Sequence, residues 1–498
     1  MKMRNISLVI ALLLGGCSMT PDYNAPESVG LDQVYLHAEN ANKAVIENDL
    51  WWQSFNDPQL DSLIAEVQQQ NISIQIAAQR IQSAQSYETM VSSLKIPTVS
   101  LGAGAFDYRL SENDSLAGPA IGAEMIGKDH NGLMAGANVS WEVDLFGRLD
   151  ALSDAASIRV QQAEILSQGV NTLITADVVH NYLQYRGAQA RLAIAKRNIN
   201  EQQQTLEMVQ TLVNSGFGSE LDLASARAAL ASVTASQTLF ETAEKVHLYR
   251  MATLLGQHPR DIISRFEAAP LPTVTGQIPT GMPSDILKRR TDIALAEREM
   301  AAINAELGAS IANQYPQFYL TASPGVVAES ADDLFSSDSV GWAAVFGAKW
   351  TIFDGGRSSA MVDMQQSRFK QASLRYEHAV NAAFNEVETT LMSYGNSLRF
   401  YQQLNIAAAQ TETAVEKANN LYKAGLIDYI QVLDAQRQDN TMQDAVVVAQ
   451  LNIASNVIMV NKALGGDWNV VNQESVTSDK DKDKDKDKES SQVNPSAD

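Results

Sequence analysis

The sequence predicts a mainly α-helical chain whose duplicated unit of long antiparallel helices carries four β-strands for a membrane β-barrel. Three observations support this fold class. The chain repeats itself, proline is absent from two long stretches, and short segments alternate between apolar and polar residues. The repeat predicts a pseudo-symmetric body, the proline gaps predict helices of unusual length, and the alternation predicts strands with two unlike faces.

The repeat joins two halves of the chain that match without gaps over a long distance. Counterparts lie 209 positions apart, as in the pairs Trp141/Trp350, Gly147/Gly356, Gly216/Gly425 and Gly256/Gly465. Upstream the offset is 219, as in Pro97 and Pro316, so a loop of variable length follows each of these prolines. Chance rarely keeps register for so long, and we expect function where the two halves do equivalent things.

The N-terminus has the features of a secretory signal over residues 1–16. Lys2 and Arg4 precede a short apolar run that ends at Gly15-Gly16-Cys17, and this cysteine is the only one in the chain. Such a run is too short to span a bilayer. The segment before Cys17 resembles a bacterial lipobox, which predicts a lipid on Cys17 and, with Ser18 next, sorting to the outer membrane. An ordinary signal peptide with an incidental cysteine is the alternative.

Composition limits the remaining possibilities. The net charge of −21 argues against a nucleic-acid partner, and no run of 18 apolar residues follows the signal. The tail at 469–498 is rich in alternating Asp and Lys, cannot bury a core, and is predicted to be disordered.

Proline spacing and apolar periodicity place the helices. No proline occurs between Pro119 and Pro259 or between Pro324 and Pro495, so long helices are predicted at 149–213 and 358–422. Each turns at a glycine and is followed by a returning helix of about half its length. Shorter helices are predicted at 58–95 and 283–313. The predicted domains are a lipidated extended segment at 17–57, a first repeat at 58–264, a linker at 265–282 and a second repeat at 283–468.

Two hairpins, at 97–146 and 316–354, show the alternation of half-exposed strands. In the first, Leu133, Val139 and Trp141 share one face while Asn138 and Glu142 share the other. A soluble β-sandwich edge is the alternative interpretation. Four strands cannot close a membrane barrel, because the smallest need about eight, and open edges are not tolerated in lipid. Several chains must then contribute, and three would supply twelve strands.

Short fragments along the chain resemble the TolC-like outer-membrane efflux protein family, and specifically its NodT-type outer-membrane factor lipoproteins. The fragments are Trp51–Phe55 with Asp57-Pro58, Ser140–Arg148, Ser219–Arg227, Arg290–Ile293, Val432–Arg437 and Ala463–Trp468. Thr291 stands where many relatives carry proline. The resemblance covers about residues 17–468. It implies a homotrimeric tunnel in outer-membrane lipid, with a periplasmic adaptor (membrane fusion) protein and an inner-membrane transporter of RND, MFS or ABC type as partners.

The resemblance also assigns candidate functional residues near the two turns. A periplasmic gate is expected at Tyr422, Ile430, Asp434, Arg437 and Asp222. Three of them, Ile430, Asp434 and Arg437, follow at steps of four and three and therefore share one helix face. An ordinary surface ion pair between Asp434 and Arg437 is the alternative. Contact with the adaptor is expected at Ser215, Gly216, Phe217, Gly218, Ala424, Gly425 and Leu426.

Nothing in the sequence favours an enzyme, a cofactor or a metal site. The six histidines are scattered without ligand spacing, and neither a nucleophile motif nor a phosphate-binding loop is present. The best interpretation is a passive, gated exit duct for drugs or other small toxic compounds. A duct for type I protein secretion and a non-channel, coiled-coil structural lipoprotein are the alternatives.

Overall fold

The structure is a computed structural model that describes residues 19–26, 35–37, 41–42, 50–115, 117–274, 278–280, 284 and 286–466. The signal peptide, the lipid site at Cys17 and the charged tail lie outside these ranges, and they stay predictions together with the domain division. Contacts divide the chain into two compact units, and each unit draws on both repeats. Unit 1 comprises the described parts of 1–27, 77–166 and 295–379, and unit 2 the described parts of 28–76, 167–294 and 380–498.

The described chain is mainly helical with a four-stranded sheet, which confirms that part of the predicted fold class. The main helices are α1 Pro58–Gln70, α2 Ile72–Ser92, α3 Arg148–Asn214, α4 Glu220–Leu254, α5 Thr291–Ala312, α6 Arg357–Lys423 and α7 Tyr429–Ala463. The strands of the sheet are β1 Thr98–Arg109, β2 Asp129–Val143, β3 Gln317–Ala328 and β4 Val340–Lys349. Shorter helices lie at Gly118–Gly122, Pro259–Ile262 and Ile286–Arg289, and Ala41–Asn42 pairs in parallel with Ile278–Pro279.

The prediction of one helix at 58–95 is wrong, because the chain breaks at Asn71 between α1 and α2. The Asn71 side-chain oxygen accepts hydrogen bonds from the backbone N–H groups of Ser73 and Ile74, as an N-cap residue does. Its side-chain nitrogen donates to the carbonyl of Leu254 at 2.7 Å. The same residue therefore starts α2 and ties it to the end of α4.

The predicted helix at 283–313 is also interrupted, since α5 begins only at Thr291 and a separate turn precedes it. The bend lies at Arg290, whose guanidinium donates to the carbonyl of Ala463 at 2.9 Å and pairs with Asp292 and Glu386. These contacts hold Arg290 at the end of α7, and the helix restarts after it.

The sheet of unit 1 is antiparallel with the order β1-β2-β3-β4. Thr98 lies opposite Ser140, and Gln317 lies opposite Lys349. The two hairpins join through β2 and β3, so β1 and β4 are the edge strands. The loop of variable length predicted from the offset change lies at 110–128 in one hairpin and at 329–339 in the other.

Two tryptophans fasten the sheet to the helices in the same way in each repeat. The indole N–H of Trp141 donates to the carbonyl of Lys95 at 2.8 Å, and that of Trp350 donates to the carbonyl of Gln314 at 3.0 Å. The donors are 209 positions apart and the acceptors 219, so each bond spans the loop where the offset changes. The duplication is therefore kept in hydrogen bonding as well as in sequence.

A buried arginine organises the middle of unit 2. Arg186 of α3 is fully buried and donates to the Tyr182 hydroxyl, the carbonyl of Glu267 and the side-chain oxygen of Gln59. Tyr182 donates in turn to Asp57 at 2.5 Å, and the other carboxylate oxygen of Asp57 caps α1. The Asp57-Pro58 fragment thus has a structural task at the start of α1.

One described helix, α7, is long and apolar enough to cross a membrane by length and composition alone. Several of its apolar side chains, among them Val447, Val457 and Val460, are buried within the folded chain. This burial is the behaviour of a core helix.

We expect Arg186→Met to destabilise unit 2, because it leaves the Glu267 carbonyl and the Gln59 side chain without their donor. The loss of hydrogen bonds from a buried charged group should cost at least about 2 kcal/mol. Circular dichroism at 222 nm should record a lower midpoint of thermal unfolding. The matched control is Arg250→Met, which changes an exposed arginine of α4. Equal midpoints for the two variants would contradict the role given to Arg186.

Candidate functional site

Both long helices end in the same backbone turn. After α3, the N–H of Gly216 bonds the carbonyl of Val213 and the N–H of Phe217 bonds that of Leu212. After α6, Gly425 and Leu426 make the equivalent bonds, to Tyr422 and Leu421. This is the Schellman pattern, in which the glycine takes a positive φ, here 78° at Gly216 and 70° at Gly425.

The turns present apolar side chains to solvent. Phe217 and Leu426, which follow the two glycines, are 87% and 70% exposed. The predicted contact residues all lie in these two turns, and Gly218 is the one among them that is partly covered. Exposed apolar residues at a tight turn are suited to bind a partner, because their burial on contact is favourable.

An apolar cluster supports the two turns from within unit 2. Its buried members come from α3, α4 and α7, and partly buried residues of α6 pack against it. The members are Val209, Leu223, Ala226, Ala229, Tyr429, Val432 and Leu433, with Leu206, Val213, Ala418, Tyr422 and Ile427 around them. Four helices of the two repeats are therefore held together beside the turns.

Burial and nearby charges shift the pKa of two tyrosines in this cluster. The rings of Tyr422 and Tyr429 lie 5.7 Å apart between centroids. Burial raises the pKa of Tyr429 to about 12, with smaller increases from Tyr422 and Asp222 and an opposing effect of Arg437. Burial, followed by the Asp222 carboxylate, also raises the pKa of Tyr422. The Asp222 carboxylate thus raises the pKa of both tyrosines, whereas Arg437 lowers the pKa of Tyr429.

The structure brings three predicted gate residues together on one exposed face of α7. Ile430, Asp434 and Arg437 line a shallow groove with Thr411 and Ala414 of α6. Asp434 accepts a hydrogen bond from the Gln438 side chain at 3.0 Å. Within the described residues no ion pair joins Asp434 to Arg437, so the ordinary surface pair is not formed. A carboxylate and a guanidinium remain open to solvent on the same face.

Asp222 has a local task that sequence reasoning missed. Its backbone N–H bonds the Ser219 hydroxyl at 3.1 Å, and its carboxylate accepts from the Ser219 N–H at 3.4 Å. This reciprocal pair is a capping box at the start of α4. The spacing of Ser219 and Asp222 carries that signal.

Sequence reasoning also missed a set of buried polar residues on α3 and α7, about one to three helical turns from the apolar cluster. They are Asn198, Gln202, Thr205, Gln436 and Asp439. The sequence signal that could have revealed them is a polar residue at a position where the helical period predicts an apolar one. Over the described ranges no group of three or more His, Cys, Asp or Glu side chains is placed to hold a metal ion.

Known proteins match this chain in sequence and in fold. The sequence family described as outer membrane efflux protein matches residues 63–257 and 282–466. The solvent efflux pump outer membrane protein SrpC of Pseudomonas putida is 28% identical over 479 residues, which are 94% of this chain and 99% of SrpC. The cation efflux system protein CusC of Escherichia coli is 28% identical over 473 residues, which are 92% of this chain and 97% of CusC.

The structure also resembles the solved structure of the outer-membrane channel OprN, with a TM-score of 0.84 and 27% identity. That match covers 90% of this chain and 99% of OprN. The family match takes in both repeats, both turns and the cluster between them, and it extends over well more than half of the chain. The chain therefore belongs to the outer membrane efflux protein family.

Proposed function

We propose that three copies of this outer-membrane efflux protein form a passive exit duct, gated beside the turns of its long helices. The observation that carries the proposal is the exposed face of α7, where Ile430, Asp434 and Arg437 lie together next to the turn. The names of the relatives, a solvent efflux pump protein and a cation efflux system protein, support efflux over protein secretion. They also support small compounds or ions as cargo.

The assembly follows from the edges of the sheet. β1 and β4 each carry one row of backbone N–H and C=O groups with no partner strand in the described chain. Adjacent strands are antiparallel, so β1 and β4 run in opposite directions. In a ring of identical chains, β4 of one copy therefore pairs with β1 of the next in the same antiparallel sense. Three copies give twelve strands, above the minimum of about eight for a membrane barrel.

We expect the purified protein in detergent to sediment as a trimer, because closure of the sheet requires more than one chain. Analytical ultracentrifugation, with the bound detergent subtracted, gives the protein mass. A monomer as the stable species would contradict the shared barrel.

The gate follows from symmetry at the α7 face. Three-fold assembly turns each exposed residue into a ring, so Asp434 supplies three carboxylates at one level and Ile430 three apolar side chains one turn away. A ring of carboxylates attracts cations, and an apolar constriction resists the passage of water and ions. We propose that these two rings limit conduction, with Arg437, Asp222 and the tyrosine pair setting the helix positions.

Asp434→Ala should widen the constriction and remove its negative ring. Single-channel recording in planar bilayers should give larger conductance steps in ~1 M salt, where a Debye length of about 3 Å suppresses field effects. At ~0.1 M salt, where the field reaches further, the preference for cations should fall.

The matched control is Glu207→Ala, which removes an exposed carboxylate from α3. It should leave both the conductance and the ion preference unchanged. Steps and ion preference equal to the wild type in Asp434→Ala would place the constriction elsewhere.

The exposed turns support a proposal for the partners. We propose that the turn residues Ser215, Gly216, Phe217, Gly218, Ala424, Gly425 and Leu426 contact a periplasmic adaptor. Energy must then come from an inner-membrane transporter, of RND, MFS or ABC type, that the adaptor reaches. Phe217 and Leu426 are the side chains with apolar surface to bury on contact.

We expect Phe217→Ser combined with Leu426→Ser to weaken adaptor binding by about ten-fold or more, because each change removes an apolar anchor. Surface plasmon resonance with the immobilised adaptor measures the affinity, and sedimentation confirms the trimer. Phe335→Ser is the control, since Phe335 is 84% exposed in the loop between β3 and β4. Equal binding by the turn variant and the control would remove the turns from the interface.

A further inference from the structure

A small cavity lies inside unit 2 between α3, α6 and α7. Its volume of about 10 Å³ has room for one water molecule or one monatomic ion. Polar side chains of α3 and α7 dominate its wall. The lining residues are Asn198, Glu201, Gln202, Val415, Gln436, Asp439 and Asn440.

Two amide oxygens in this wall have no hydrogen-bond partner within the described residues. They are Oδ1 of Asn198 and Oε1 of Gln202, and their residues are 6% and 4% exposed. The amide nitrogen of Gln202 is used, since it donates to Gln436 at 3.1 Å. A buried oxygen without a donor is costly. Two such oxygens around one cavity indicate that the cavity accepts a positively charged or donor-bearing guest.

The carboxylate of Asp439 adds uncompensated negative charge to the same wall. Asp439 is 6% exposed, and its oxygens accept from the Thr411 hydroxyl at 2.9 Å and from the Gln443 side chain at 2.5 Å. Both donors are neutral, and no basic side chain pairs with Asp439 in the described part of unit 2. A buried charge without a countercharge is unfavourable.

Glu201 connects the cavity to solvent. Glu201, Gln436 and Asp439 line both the cavity and a larger open groove between α3, α6 and α7. Burial is the main cause of the raised pKa of Glu201; Arg197 opposes it, and Asp439 and Glu412 add to it. The groove therefore offers an entry path to the cavity, with the Glu201 carboxylate in its wall.

We propose that this cavity binds one hard metal cation of the calcium class, held by oxygens of Asn198, Gln202, Asp439 and Glu201. Carboxylate and amide oxygens are the ligands that Ca²⁺ takes, in flexible geometry, whereas Mg²⁺ demands a near-ideal octahedron and keeps its waters. Nitrogen and sulfur ligands of softer metals do not line the cavity. Two of the proposed ligands are carboxylates, and the other two are amide oxygens.

A bound cation joins α3 of the first repeat to α7 of the second. Asp439 lies five positions after Asp434 and two after Arg437 on α7, on the buried side of the helix. The cation holds the gate-bearing part of α7 against α3, a consequence that rests on the proposed gate, whereas binding itself does not.

The test compares the wild-type trimer with Asp439→Asn, which keeps the side-chain shape and removes the charge. Both are stripped with EDTA, returned to Ca²⁺, Mg²⁺ or Na⁺ at constant ionic strength, and passed through gel filtration. Elemental analysis should find one Ca²⁺ per wild-type chain. The affinity of the site for Ca²⁺ should fall by about ten-fold or more in Asp439→Asn, because loss of even an outer-shell partner of a metal ligand has an effect of that size. Ca²⁺ should raise the thermal midpoint of the wild type alone.

Two further variants test the assignment of ligands. Gln202→Met removes an unpaired oxygen without adding charge and should also weaken Ca²⁺ binding. Glu412→Gln changes the charge of the groove, which Glu412 lines, but not the wall of the cavity, and should bind as the wild type does. No Ca²⁺ on the wild type, or equal binding by Asp439→Asn, would overturn the site and leave a buried water there. Full binding with unchanged channel conductance would keep the site and separate it from the gate.

Discussion

The four-stranded antiparallel sheet has two edge strands, β1 and β4, and the outer backbone N–H and C=O groups of each find no partner strand within the described chain. This constraint governs the rest of the architecture. Hydrocarbon offers these groups no hydrogen bonds, so a sheet of this size persists in a membrane only when its edges meet those of other copies. In the trimer proposed above, the functional unit would have the symmetry of the closed sheet. Every exposed residue on the helices, whatever its local role, is present in that unit once per copy. In that proposed assembly, a single residue such as Asp434 would form a ring.

Much of the fold follows from local rules, and the exceptions follow from distant contacts. The ends of α3 and α6 were predictable to within one residue, because proline is absent inside them and glycine follows each one. The break at Asn71 was not predictable, since its side chain bonds Leu254, 183 positions away. The bend at Arg290 likewise depends on the end of α7. Periodicity describes one helix at a time and carries no information about such partners.

The candidate site was likewise predictable in part from local rules and in part not. Helical spacing was enough to place Ile430, Asp434 and Arg437 on one face, and the structure has them there. Spacing cannot distinguish a polar residue that faces water from one that faces a neighbouring helix, so the burial of Asp439 was missed. The capping role of Asp222 had a signal, Ser219 three positions earlier, which the assignment to a gate obscured. The side chains that would complete each proposed ring belong to other copies, and no pattern within a single chain describes them.

The long helices of the two repeats are equal in length, and so are the returning helices. α3 and α6 each have 67 residues, while α4 and α7 each have 35. An insertion in one of these helices alone would shift the turn at its end by about 1.5 Å per residue. We therefore expect a longer or shorter version of the proposed duct to require matched changes in all four helices. Between the two repeats, the loop of the sheet does differ in length, since it lies at 110–128 in one hairpin and at 329–339 in the other.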